Sequence, residues 1–143
     1  IDSAIKKYDI DTIYHLGSIL SASAETNRKL AYEVNFNGLN NILESSVTNN
    51  VKKVMLVSSI AAFGPETPSD NTPNDTIQKP NTHYRISKVF TELLGNYFST
   101  KLNLDVRGVR LPVIISWKVE PTAGTTDYAV AIFYEAIKKQ SYI

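Results

Sequence analysis

Lys53-Val-Met-Leu-Val-Ser-Ser59 is the stretch that decides the fold. Its centre is apolar without alternation, and so short an uninterrupted run is the pattern of a strand covered on both faces, as in parallel sheets. On its N-terminal side, residues 29–49 place Leu30, Val34, Leu39, Ile42, Leu43 and Val47 near helical spacing with polar residues between them. Beyond it, residues 64–81 hold Pro65, Pro68, Pro73 and Pro80, which exclude a regular element. Loops this long in compact domains are usually functional. Helical spacing returns over residues 82–101 through Val89, Phe90, Leu93, Leu94, Tyr97 and Phe98.

Further out, residues 1–9 read as the end of a helix and residues 10–16 as a short strand closing on Gly17. Residues 105–115 read as a strand interrupted late by Pro112, and residues 117–126 as a second loop. Asp127 is the predicted N-cap of a last helix ending in Lys138 and Lys139, cations that suit its negative end. Helix and strand alternate, which predicts an α/β fold: a parallel sheet with helices on both faces. The chain divides into residues 1–116, the sheet-forming part, and residues 117–143, a loop and helix. Ligands of such sheets sit at the carboxyl ends of the strands. The positions to inspect are therefore 15–18, 58–64 and 111–116.

Composition narrows the function classes. The 143 residues are 43% hydrophobic, enough for one core. Fifteen Lys and Arg against fourteen Asp and Glu leave a net charge of +1, without the basic excess that neutralises a row of phosphates, so nucleic acid is not expected as a partner. Cysteine is absent, which excludes disulfides, thiolate zinc sites and cysteine nucleophiles. No apolar run approaches the ~20 residues of a membrane helix, so no membrane association is expected and the location is expected to be cytoplasmic. The chain begins at Ile1, directly in an amphipathic stretch, and is expected to be a truncated piece of a longer protein.

The first candidate for chemistry is Tyr84-Arg-Ile-Ser-Lys88, a phenol and an ammonium one helical turn apart on one face. A lysine beside a phenol favours the phenolate, so a tyrosine of ordinary pKa ~10 becomes a usable base. The same spacing recurs at Tyr97/Lys101 and Tyr134/Lys138, so spacing alone does not single it out. Context does: Tyr84 opens its helix just after the Pro-rich loop, and that loop leaves the strand ending in Ser58-Ser59. Those serines are either a polar strand exit or hydroxyls aimed at a substrate oxygen. His15 and His83, without cysteine or an acidic pair at ligand spacing, read as structural histidines rather than a metal site. Asn35 and Asn37 are locally unfavourable inside a helix, which leaves surface exposure or a site hydrogen bond as their reasons.

Taken in order, the strand ending His15-Leu16-Gly17, the helix carrying Asn35-Phe-Asn-Gly38, the strand ending Ser58-Ser-Ile-Ala-Ala-Phe-Gly64, and Tyr84-x-x-x-Lys88 resemble the extended short-chain dehydrogenase/reductases. Phe63-Gly-Pro-Glu-Thr-Pro68 and Glu120-Pro-Thr-Ala-Gly-Thr-Thr-Asp-Tyr-Ala129 are similar to the L-threonine 3-dehydrogenase branch of that family. Its members use NAD to oxidise the threonine side-chain hydroxyl, giving 2-amino-3-oxobutyrate. The resemblance implies a doubly wound, Rossmann-like parallel sheet that is incomplete here, with this chain supplying the side that starts at the fourth strand of the order 3-2-1-4-5-6. The Gly-x-x-Gly-x-x-Gly turn that holds the cofactor pyrophosphate, the acidic residue for the adenosine ribose and the C-terminal substrate region have no counterpart in the 143 residues.

The resemblance also implies roles. Tyr84 is the expected general base, and Lys88 the residue that lowers its pKa and bonds the nicotinamide ribose. Ser59 is expected to orient the substrate hydroxyl, with Ser58 next to the cofactor. Leu16 and Gly17 pass close to the cofactor, Asn35 supports the site, and Pro112 flanks the nicotinamide within Leu111-Pro-Val113. Ser21 and the loop residues Gly124, Thr125 and Thr126 are the expected substrate contacts. A homodimer is implied as well, through the helices at 30–49 and 82–101. Two positions depart from the branch: Ser59 stands where threonine is frequent, and Leu111 where an aromatic residue is common.

Two other readings stand beside this one. A sugar-nucleotide epimerase or dehydratase of the same superfamily shares the Ser/Tyr/Lys set, but those enzymes typically carry an Arg-Tyr-Phe-Asn-like turn where this chain has Arg110-Leu-Pro-Val113. The other is a catalytically inactive piece that acts only in assembly. The isolated chain is expected to bind NAD weakly or not at all, and its open sheet edge to favour association.

Overall fold

A computed structural model describes residues 1–115, 118 and 127–139. The chain runs α1 (Asp2–Tyr8), β1 (Thr12–His15), α2 (Ser21–Thr26), α3 (Arg28–Tyr32), a π-helical segment (Glu33–Asn37), α4 (Gly38–Thr48), β2 (Lys53–Ser59), a 3₁₀ turn (Ile60–Ala62), α5 (His83–Leu102), β3 (Asp105–Leu111) and α6 (Tyr128–Lys139). The three strands form one parallel sheet in the order β1-β2-β3, with Val54 opposite Ile13 on one side and Val106 on the other.

Because strand side chains alternate, that register assembles two unlike faces. Val54, Leu56 and Ser58 are buried while Met55, Val57 and Ser59 are only partly covered. The covered face meets Leu39 and Leu43 of α4, Phe98 of α5 and Ile5 of α1, and with Val51 and Leu104 these make the core. Gly95 lets α5 lie directly on the strands: a Cβ there would stand 2.7 Å from Leu56 Cδ1 and 3.1 Å from Val106 Cγ1. On the opposite face Tyr14 is 68% and Val109 46% exposed. Helices on both faces were predicted for the complete sheet; in this incomplete one, α1, α4 and α5 pack together on the covered face. The apolar run of β2 says that both faces can be buried, not that this stretch of chain buries both.

Other details also differ from the sequence reading. The expected single helix over residues 29–49 is interrupted by the π segment, a single-turn widening of the kind frequent at functional sites. The last predicted strand stops at Leu111 rather than 115, because Pro112 has no N–H to continue the ladder. The first strand is shorter than expected, Thr12–His15. Helix α2 was not predicted, since Ser-Ala-Ser-Ala-Glu-Thr has no apolar period and buries only Ala24. Helices α1 and α5 end on left-handed residues, Asp9 (φ 49°) and Asn103 (φ 55°), short polar residues that tolerate that turn. Helix α6 begins immediately after Asp127, whose carbonyl accepts from the N–H groups of Val130 (3.0 Å) and Ala131 (2.8 Å).

The long segment after β2 is a loop closed on itself. Thr67 Oγ1 donates to the Ile77 carbonyl (2.5 Å) and accepts from the Gly64 N–H (3.0 Å), and Lys79 pairs with Glu66 (2.8 Å). At its neck a Cβ on Gly64 would stand 2.2 Å from the Lys79 carbonyl oxygen, so only glycine fits.

Candidate active site

Three elements bring the predicted residues to the carboxyl edge of the sheet. Helix α5 starts at the end of the closed loop, with Thr82 as N-cap: its hydroxyl oxygen accepts from the Arg85 N–H. The Glu25 carboxylate of α2 accepts from the His83 N–H at 2.6 Å, favourable for an anion at a helix N-terminus. Tyr84 follows in the first turn and Lys88 one turn later, so both reach back over β2. Strand β2 delivers Ser58 to the helix-covered face and Ser59 to the open one.

The Lys88 side chain is buried, and its Nζ donates to the Val57 carbonyl (2.9 Å) while lying 5.3 Å from the centre of the Tyr84 ring. Burial pushes the Lys88 ammonium below the usual lysine range. Burial pushes the Tyr84 phenol up, and a hydrogen bond with Ser59 works against that. The sequence reading assigned the lowering of the phenol to Lys88; in this geometry burial dominates and the downward pull comes from Ser59. The ammonium is held by the Val57 carbonyl, over the Tyr84 ring. Ser59 also accepts from the Ala61 N–H (3.1 Å), which fixes its hydroxyl at the strand exit.

Asn35, in the π segment, is buried and ties the loop after β1 to α5. Its Oδ1 accepts from the Ile19 N–H (2.8 Å) and the Ser18 hydroxyl (3.3 Å); its Nδ2 donates to the Ile19 carbonyl (3.0 Å) and to Ser87 Oγ (3.3 Å). Ser87 in turn donates to the Tyr84 carbonyl (2.6 Å). The loop 16–20 is thereby held beside Lys88, and His15, Gly17, Ser18, Asn35, Ser87 and Lys88 line one narrow crevice there. His15 lies below the usual histidine range, through burial first and the Lys88 charge second. His83 packs edge-on against Phe36, and its Nδ1 is buried with no partner among the described residues.

Not every expected residue joins this cluster. Leu16 lines the crevice but is largely exposed, Ser21 opens α2 half-buried, and Pro112 is exposed just past β3. The Ser58 hydroxyl turns away from Tyr84 to donate to Glu92 (2.5 Å). Gly124, Thr125 and Thr126 lie outside the described residues. The sequence reading missed Glu25, Glu92 and Gln78 and gave Arg110 only a place in a turn. No local sequence signal announced the Glu92–Arg110 pair, which forms between α5 and β3.

A phenol, an ammonium one turn away and a hydroxyl facing the phenol can take a proton from a substrate hydroxyl and hold that oxygen while it changes. Among the described residues no group of three His, Cys, Asp or Glu is placed to hold a metal, and no helix is long and apolar enough to cross a membrane.

Comparison with known proteins shows what the chain is similar to. Residues 1–140 match the NAD dependent epimerase/dehydratase family. The chain is 46% identical over 138 residues to an uncharacterized epimerase/dehydratase of Staphylococcus haemolyticus, covering 96% of this chain and 43% of that protein. Among solved structures, the L-threonine dehydrogenase of Clostridium difficile is 50% identical with a TM-score of 0.93, covering 99% of this chain and 44% of that one. The L-threonine dehydrogenase of Phytophthora infestans is 46% identical with a TM-score of 0.93, covering 98% and 45%. The chain thus spans less than half the length of these proteins.

Proposed function

The chain belongs to the NAD dependent epimerase/dehydratase family, and we propose that it carries the chemical half of an NAD-dependent oxidoreductase acting on L-threonine. The observation that carries this reading is the Ser59–Tyr84–Lys88 cluster, found in a chain 46–50% identical to two L-threonine dehydrogenase structures.

The residues present fit the nicotinamide end of NAD. Lys88 uses one of an ammonium's three donor hydrogens on Val57, leaving donors for ribose hydroxyls. Gly17 leaves open space: a Cβ there would meet only His15 Cε1, at 3.9 Å. Lys88, Tyr84, Asn35 and the loop 16–18 would hold that end, with Leu16, Ser58 and Pro112 beside it. NAD, when bound, supplies the hydride acceptor. Tyr84 takes the proton of the substrate hydroxyl, Ser59 orients that hydroxyl, and Lys88 holds the ribose and keeps positive charge near the phenol. Asn35 and Ser87 keep the crevice walls in place. Substrate contacts fall to Ser21 and to Gly124, Thr125 and Thr126. The product is 2-amino-3-oxobutyrate.

The whole protein is proposed to be a homodimer, since Ile86, Leu93 and Tyr97 leave an apolar stripe exposed on α5. The 143-residue chain alone is proposed to be inactive, because its sequence holds no glycine-rich phosphate turn. NAD reduction by the complete gene product, with L-threonine and UDP-glucose offered in parallel, tests the substrate: threonine-dependent NADH is expected. Turnover of UDP-glucose without threonine oxidation would favour the epimerase reading.

A further inference from the structure

Behind the site, on the helix-covered face, the Glu92 carboxylate has every acceptor position used. Oε1 accepts from Ser58 Oγ (2.5 Å) and Arg110 Nε (2.8 Å); Oε2 accepts from Arg110 Nη2 (2.7 Å) and Gln78 Nε2 (2.8 Å). Arg110 also donates to the Asn74 carbonyl (2.9 Å) and stacks 5.1 Å from the Phe63 ring. The side chains of Arg110 and Glu92 are only 24% and 20% exposed. The end of β2, helix α5, strand β3 and both limbs of the closed loop therefore meet at one ion pair.

A half-buried ion pair is weak evidence of stability, because desolvation offsets much of its attraction. What a planar, two-pronged Arg–carboxylate pair with additional donors supplies is fixed geometry. Ser58 and Ser59 are consecutive in an extended strand, so the bond that fixes Ser58 to Glu92 also fixes where the strand presents Ser59 to Tyr84 on the other face. The loop neck at Gly64, five residues on, is held through Gln78 and Asn74 by the same pair.

We propose that Glu92 and Arg110 are positioning residues, a latch that clamps the end of β2 and the closed loop to α5 and β3 so that the Ser59 hydroxyl meets the Tyr84 phenol. The proposal rests on the reading of Ser59 and Tyr84 as the site, but its test needs neither cofactor nor turnover. Tyrosine labelled with ¹³C at Cζ reports the Tyr84 titration by NMR in the complete protein, with Tyr84→Phe assigning the signal.

Ser59→Ala removes the hydrogen bond that draws the phenol down and is expected to raise the titration midpoint. Glu92→Gln, nearly isosteric, and Ser58→Ala, which removes only one hydroxyl, are expected to raise it in the same direction. Adding Ser59→Ala to Glu92→Gln is expected to raise it no further. The titratable neighbours of Tyr84, namely Lys88 on its own helix, His83 before it, Glu25 of α2 and His15 of β1, are unchanged in all of these variants. A Glu92→Gln or Ser58→Ala chain that loses thermal stability while its phenol titrates as in the wild type would overturn the latch. So would a Ser59→Ala chain with an unmoved phenol, since the latch would then have nothing to position. Loss of threonine turnover in a protein whose phenol behaves as expected would count against the proposed reaction and leave the latch standing.

Discussion

Tyr84 stands at the centre of the chemistry, and its surroundings set the pH at which it works. Burial raises the phenol and Ser59 opposes that, so the deprotonated base becomes more abundant as pH rises through the alkaline range. NAD reduction by the complete protein is expected to climb with pH there, and Tyr84→Phe to lose ~10²–10⁴-fold in kcat. A flat profile, or a Tyr84→Phe enzyme with normal turnover, would remove Tyr84 from the mechanism. Glu92 makes a separate contribution, to stability. Burial alone would raise its carboxyl, but the hydrogen bonds from Arg110, Ser58 and Gln78 outweigh it and leave the pKa below the ordinary value. A depressed folded pKa stabilises above the unfolded-state pKa and loses that stability as pH falls through the folded one. Glu92→Gln is therefore expected to flatten the acid limb of a stability-versus-pH curve measured by denaturant titration.

At the scale of elements, much of the architecture was legible because the apolar spacing is strong. Strand β2 occupies the residues the sequence marked, and α5 differs from its expected span by one residue at each end. Less legible were the elements whose reasons lie elsewhere in the chain. The π segment exists around Asn35, whose partners Ile19 and Ser87 are distant in sequence, and no local period announces it. Helix α2 is short and polar and depends on docking Ala24 and Glu25 near the start of α5. Of the site, the Tyr84-x-x-x-Lys88 spacing and the Ser-Ser strand end were readable locally. The Glu92–Arg110 latch was not, because only the β2–β3 register puts Ser58 opposite Arg110. The closed loop gives a sharp test of this layer. Gly64→Ala is expected to cost ~1–3 kcal/mol by forcing a methyl into the Lys79 backbone. Gly17→Ala, with open space around it, is expected to stay within about 0.5 kcal/mol, both variants being measured by urea unfolding. Equal costs would mean that the loop neck is not closed as described.

Across the whole molecule, the unequal faces of the sheet tie together what the chain contains and what its relatives add. One face is built into a core, while the other leaves Tyr14 and Val109 exposed over half-covered Met55 and Val57. Proteins of this family that match the chain are more than twice its length. The α5 stripe has the opposite character, lying on the outside of the helix layer, with Leu93 64% exposed at its centre. Light scattering of the complete protein is expected to show a dimer that Leu93→Lys converts to monomer without loss of folding; a monomeric wild type would contradict the proposed assembly. The most direct test of the proposed chemistry follows the hydrogen itself. L-threonine deuterated at its β-carbon, turned over by the complete protein with NAD, is expected to yield reduced cofactor carrying the deuterium at its nicotinamide ring. A protein that turns over a UDP-sugar while the threonine label stays in place would contradict it.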